Sequence, residues 1–99
     1  MISIVSFAYT DQELFKQSFA IRQAVFVAEQ GVPAELEYDE HEAEATHYLL
    51  YYNDAPVGAA RWRKTELGIK LERFAVLPEY RNKGIGDALL KKVLEDVMP

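Results

Sequence analysis

Apolar positions recur along the chain with two different periods, and the change of period marks out the elements. Ile2, Ile4 and Phe7 punctuate a short apolar opening, which predicts a first strand. Asp11 then stands where an N-cap belongs, and Leu14, Ser18, Ile21 and Val25 follow at helical spacing. Phe15, Phe19 and Phe26 widen that face, and the helix is expected to end between Glu29 and Gly31, with Pro33 as a stop. Residues 32–45 show no period and predict an irregular connection holding one helical turn. His47 to Tyr52 reads as a strand, Asn53-Asp54-Ala55-Pro56 as a turn and Val57 to Arg63 as the returning strand. After Gly68, Ile69, Leu71, Arg73 and Ala75 alternate with Lys70, Glu72, Phe74 and Val76, a period of two that predicts a third strand ending near Leu77. From Gly84 onward Ile85, Leu89, Val93 and Val97 line one helical face, and Asp87–Lys91, Lys91–Glu95 and Lys92–Asp96 set opposite charges four apart on the wet side. The predicted order is strand, helix, three strands, helix: an α/β chain with a mainly antiparallel sheet flanked by helices.

At 99 residues, positions 1–99 form a single domain. No apolar run approaches the ~18 residues of a membrane span, and Ser3 and Ser6 interrupt the one early apolar stretch, so neither a span nor a signal peptide is read. The chain has no cysteine, which excludes disulfides, thiolate nucleophiles and zinc-thiolate sites, and a cytoplasmic location is the default expectation. The net charge of −5 is unevenly spread. Residues 1–60 hold two cations against ten carboxylates, and residues 61–99 hold nine against six. Seven of the carboxylates fall between Glu29 and His47 with no Lys or Arg among them. A chain so balanced is a poor nucleic-acid binder, because phosphate neutralisation needs clustered cations. The acidic stretch reads either as a solvated loop or as a rim that attracts a cationic substrate. His41 and His47 with Asp39, Glu40, Glu42 and Glu44 match no metal-ligand spacing, so no metal is expected; His47 reads as a structural imidazole.

One segment carries distinct chemistry. In residues 75–86 a strand feeds a short loop that opens a helix, with Arg81, Gly84 and Gly86 spaced as R-x-x-G-x-G. Free backbone N–H groups gather at such a helix start, and its dipole is positive there. Glycines let a bulky anion approach the backbone, and Arg81 and Lys83 add charge beside it. The arrangement predicts a pyrophosphate cradle. It is neither a Walker loop nor a Gly-x-Gly-x-x-Gly dinucleotide turn.

The segment LERFAVLPEYRNKGIGDALLKKVL resembles motif A of the GNAT superfamily of acetyl-CoA-dependent N-acyltransferases. A second block, IRQAVFVAEQGVPAELEYDEHEAEATHYLL, is similar to the N-terminal signature of a bacterial branch of small acetyltransferases, and VGAARWR extends the likeness. The resemblance implies a GNAT-like fold, acetyl-CoA as cosubstrate and direct transfer of an acetyl group to a small amine. It implies that Arg81, Asn82, Lys83, Gly84, Ile85 and Gly86 hold the pyrophosphate. Phe74, Ala75 and Val76 would hold the pantetheine arm and acetyl carbonyl, with the Val76 amide as oxyanion donor. The second block puts Arg22, Phe26 and Glu29 beside the acceptor.

Histone-type relatives carry an acidic residue five positions before the alanine of the AV pair, where this chain has Lys70. Glu72, on the same strand face, is therefore the first candidate general base and Glu29 the second. Full-length domains of the family continue past this helix with another strand, a helix and a closing hairpin, which the sequence lacks. An open edge on the residue 69–77 strand is thus expected, and the reading is either a chain truncated at its C-terminus or a homodimer that fills the gap. Arg22-Gln-Ala-Val25-Phe26 and Glu37-Tyr-Asp39 also fit loosely an acyl-homoserine-lactone-synthase-like enzyme, and a non-catalytic CoA-binding module is the third reading.

Overall fold

Four strands pair antiparallel in the order β1-β2-β3-β4 in the computed structural model, which describes residues 1–98. They are β1 (Ile2–Ala8), β2 (Thr46–Tyr52), β3 (Ala55–Thr65) and β4 (Gly68–Val76). Asn53 and Asp54 join β2 to β3 with φ of 49° and 72°, the left-handed pair that a two-residue hairpin turn needs to match strand twist. Helix α1 (Gln12–Arg22) starts at Asp11, whose side chain accepts from the Leu14 N–H at 3.2 Å. The coil then widens into a π-helix over Gln23–Glu29, closed by Gln30 N–H to Val25 C=O at 3.1 Å. The connection contains the expected single turn, α2 (Ala34–Glu37). A 3₁₀ turn at Pro78–Tyr80 leads to α3 (Ile85–Val97).

The sheet is covered on both faces. On one side α1 and the π coil bury Phe15, Ile21 and Val25 against Phe7, Leu49, Ala59 and Ala75. On the other, α3 buries Ile85, Leu89 and Val93 against Tyr48, Leu50, Val57 and Ala60. Adjacent residues Leu49/Leu50 and Ala59/Ala60 serve opposite faces, as strand alternation requires. Helix α3 sits close to β3 because Gly58 has no side chain. A Cβ there would lie 3.1 Å from Leu89 and 3.3 Å from both Ile85 and Leu50.

The strict alternation expected across β4 is corrected. Arg61 faces Glu72, but Ala59 faces Ala75, so Arg73 and Phe74 share one partner position and form a bulge. Beyond it the alternation inverts: Phe74 and Val76 join Leu71 on the α3 side, and Ala75 packs on the α1 side. Arg73 takes φ +58°, a left-handed backbone on a residue with a side chain.

Candidate active site

A cleft of about 510 Å³ opens where the end of β4, the π coil and the start of α3 converge. Phe74, Ala75 and Val76 form its strand wall, and Arg81, Asn82, Gly84, Ile85 and Gly86 its loop and helix wall. The Leu77 N–H points inward, donating to Val57 C=O at 3.0 Å. Alternation then turns the backbone of Val76 outward to the free edge of β4, and the Val76 C=O indeed accepts from Arg81 Nε at 3.0 Å. The Val76 N–H faces the same side.

The helix wall presents donors. Asn82 and Gly84 are left-handed, at φ 65° and 77°, and no side chain caps α3. The first helical bond there runs from Ala88 N–H to Gly84 C=O at 3.0 Å, leaving the N–H groups of Ile85, Gly86 and Asp87 outside the helix's own ladder. A Cβ built on Gly84 or Gly86 meets no protein atom within 4 Å, so the space above both glycines is open. An anion-binding helix start with room in front of it fits a diphosphate.

Arg81 is not free in this arrangement. Its Nη1 and Nη2 each lie 2.7 Å from a Glu29 carboxylate oxygen, tying the end of the π coil to the loop before α3. This hydrogen-bonded fork holds the Glu29 carboxyl below its ordinary pKa and raises that of Arg81. Glu29 does not line the cleft and stands as the ion-pair partner of Arg81, which makes it a weak proton acceptor.

The other expected roles divide. Lys83 does not line the cleft; its ammonium lies 5.9 Å from the ring centre of Tyr52. Glu72 is corrected as a base. It lies outside the cleft, where Arg61 Nε donates at 2.9 Å and Arg63 Nε at 3.1 Å. Burial pushes its pKa up, but Arg61 and then Arg63 outweigh that and hold it below 4.5. Arg22 and Phe26, expected beside the acceptor, do not line the cleft. Phe26 packs against the core on the α1 side. Arg22 is 1% exposed and donates to Glu37 at 2.5 Å and to Glu42 at 2.7 and 3.0 Å.

The acidic connection is mostly bolted down. Arg22 holds Glu37 and Glu42, Arg61 holds Asp39 and Glu42, and Arg73 holds Asp39 and Glu37. Burial would raise the pKa of Asp39, yet Arg61, the His41 N–H and Arg73 bring it down to about 2. Removing one partner of such a buried set costs about 3–5 kcal/mol, because the others are left charged and unpaired. Glu35, Glu40 and Glu44 remain outside, so the segment is neither a solvated loop nor a strongly negative rim. His47 is a buried imidazole whose Nε2–H donates to Glu42 C=O at 2.9 Å. Among the described residues no group of three or more His, Asp or Glu side chains is placed to hold a metal ion.

Val25 and Gln30 line the cleft opposite β4, and the sequence did not single out either for it. The π coil's i to i+5 bond joins these two residues, a pitch that no apolar periodicity announces.

A strand edge with an outward amide, beside an uncapped helix start, is the architecture of an acyl-CoA-binding fold. The model of the acetyltransferase (GNAT) family matches residues 10–98, and the chain belongs to that family. The uncharacterized N-acetyltransferase YjcF of Bacillus subtilis is 46% identical over 81 residues, which are 82% of this chain and 58% of that protein. The chain thus spans under three fifths of the length of this curated relative. The structure of Escherichia coli ElaA superposes with a TM-score of 0.82 at 27% identity, covering 98% of this chain and 70% of that one. An acyl-CoA N-acyltransferase from Pseudomonas aeruginosa superposes at 0.86 with 18% identity, over 97% of this chain and 68% of that one, a likeness of fold alone. No helix of the described residues is long and apolar enough to cross a membrane.

Proposed function

We propose that this chain carries the acyl-CoA site of an N-acyltransferase that moves an acetyl group from acetyl-CoA to a small amine by direct attack. The observation that carries the reading is the convergence of the outward Val76 N–H with the uncapped N-terminus of α3 across one cleft. The α3 amides and the glycine-opened space would receive the diphosphate, and the edge of Phe74–Val76 would align the acyl arm. The amine nitrogen forms a bond to the thioester carbon, the carbonyl oxygen gains charge that the Val76 N–H stabilises, and the sulfur leaves as CoA thiolate. Of the residues lining the cleft only Asp87 is a carboxylate, and it stands on the first turn of α3, where the diphosphate would lie. The amine must therefore attack in its neutral form, and the proton its nitrogen sheds as the amide forms passes through water to the departing CoA thiolate. The family supports an amine acceptor; the neutralised acidic segment does not. The cytoplasmic setting and the pairing of two copies stay expectations of this reading; sedimentation as a monomer would remove the pairing.

Gly86→Val tests the cradle cleanly. Gly86 has no left-handed φ and its Cβ meets no protein atom, so the substitution leaves the fold unstrained while filling the anion's approach. Calorimetry should show acetyl-CoA binding weakened about 100-fold or lost, which is roughly 2.7 kcal/mol or more, at an unchanged melting temperature. Wild-type affinity in the variant would refute the assignment. Thiol release with a panel of amines separates a transferase from a module that only binds CoA.

A further inference from the structure

We infer that Arg73 is a positioning residue for the acyl-transfer step: its side chain clamps the β4 bulge that turns the Val76 N–H toward the cleft. The inference rests on the reading of Val76 as oxyanion donor. Within a strand, left-handed backbone on a residue with a Cβ is unfavourable by about 1–2 kcal/mol and persists only where the surroundings enforce it. At Arg73 the enforcement is visible. Nη2 lies 3.0 Å from Asp39 Oδ2 and 3.4 Å from Leu36 C=O, and Nε lies 3.1 Å from Glu37 Oε2 as an ion pair without an aligned hydrogen bond. These anchors are themselves fixed, Glu37 by Arg22 and Asp39 by Arg61. The guanidinium therefore reaches from the bulge to a rigid abutment outside the sheet.

The bulge decides which way the next amides face. If the Arg61–Glu72 pairing continued without the extra residue, Ala59 would face Phe74 and Val57 would face Val76. The Val76 N–H would then take the inward place that Leu77 holds, donating to Val57 C=O. The donor would be lost from the cleft, and Phe74, Ala75 and Val76 would exchange faces of the sheet. Arg73 thus acts on the strand wall that aligns the acyl arm, while the diphosphate's donors at the start of α3 lie on a different element.

Two substitutions separate this role from a contribution to stability alone. Arg73→Ala removes the clamp and keeps the left-handed penalty. Arg73→Gly removes the clamp and the penalty together, since glycine accepts this φ without strain. We expect Arg73→Ala to lower kcat roughly 100-fold, the scale of a misplaced reacting geometry, with the calorimetric Kd for inorganic pyrophosphate, which would meet only the start of α3, unchanged. Its cross-strand nuclear Overhauser contacts should show Ala59 against Phe74. Arg73→Gly should keep Ala59 against Ala75 and recover most of kcat. Retention of register and kcat in Arg73→Ala, or an Arg73→Gly variant as impaired as Arg73→Ala, overturns the inference. If the wild type transfers no acetyl group, the oxyanion reading fails, while the register contacts still decide whether Arg73 holds the bulge.

Discussion

Arg81 can direct its fork at one carboxylate or at one phosphate, and in this structure it holds Glu29. Both side chains are a little over a third exposed, at 39% and 37%, so water screens the pair and its strength is modest. Diphosphate binding at the α3 start must compete with Glu29 for the guanidinium. Glu29→Gln should therefore tighten CoA binding, by about two- to fivefold on the scale of an exposed ion pair. It should also steepen the weakening of that binding with added salt, because a freed cation then meets the anion. Titration calorimetry at two ionic strengths reads both effects; an unchanged Kd would mean that Arg81 takes no part in binding the anion. The buried arginines follow different rules. Arg22 and Arg61 are 1% and 0% exposed, and their partners cannot be exchanged for solvent.

At the scale of elements the critical contact is α3 against β3. Gly58→Ala pushes a methyl group against Leu89 and Ile85, which also line the cleft, so their side chains or α3 itself must give by a few tenths of an ångström. Stability to urea should fall by about 1–3 kcal/mol, the usual result of overpacking, and CoA binding should weaken with it. An unchanged urea midpoint would show that α3 can move away freely. The face of α3, the β2–β3 hairpin and the glycine-opened start of α3 were legible in the sequence because each follows from local spacing or local turn chemistry. The bulge at Arg73 was not. Its cause lies in Glu37 and Asp39, more than thirty positions away, and the residue itself keeps the apolar/polar count looking regular. The π coil escaped for a related reason, since Val25 satisfies a helical period whether or not the following turn widens. Glu72 misled because strand position alone cannot tell a carboxylate facing substrate from one facing Arg61.

The whole molecule should be sensitive to acid in two stages. His47 has its pKa below 6.5, chiefly through burial, with Arg22 and Arg61 adding to it against the pull of Glu42. A depressed imidazole stabilises the fold above its unfolded pKa, and that contribution is lost as pH falls below about 6.5. Asp39, Glu42 and Glu72 are also depressed, burial opposing and the arginines prevailing. Their contribution is present above about 4.5 and is lost as pH falls from there toward 2. Urea melts across this range should show stability level above neutrality, a first decline below about 6.5 and a steeper one below about 4.5. Stability that rose between neutral pH and pH ~5 would contradict the assignment. The three arginines that bolt the acidic connection come from α1, β3 and β4, so the connection closes only after all three have reached their places. Until then its glutamates are open peptide to a glutamate-specific protease, and afterwards Glu37 and Glu42 are sealed. Cleavage after Glu37 or Glu42, as distinct from cleavage after the exposed Glu35, Glu40 and Glu44, is therefore a clock for the last step of assembly.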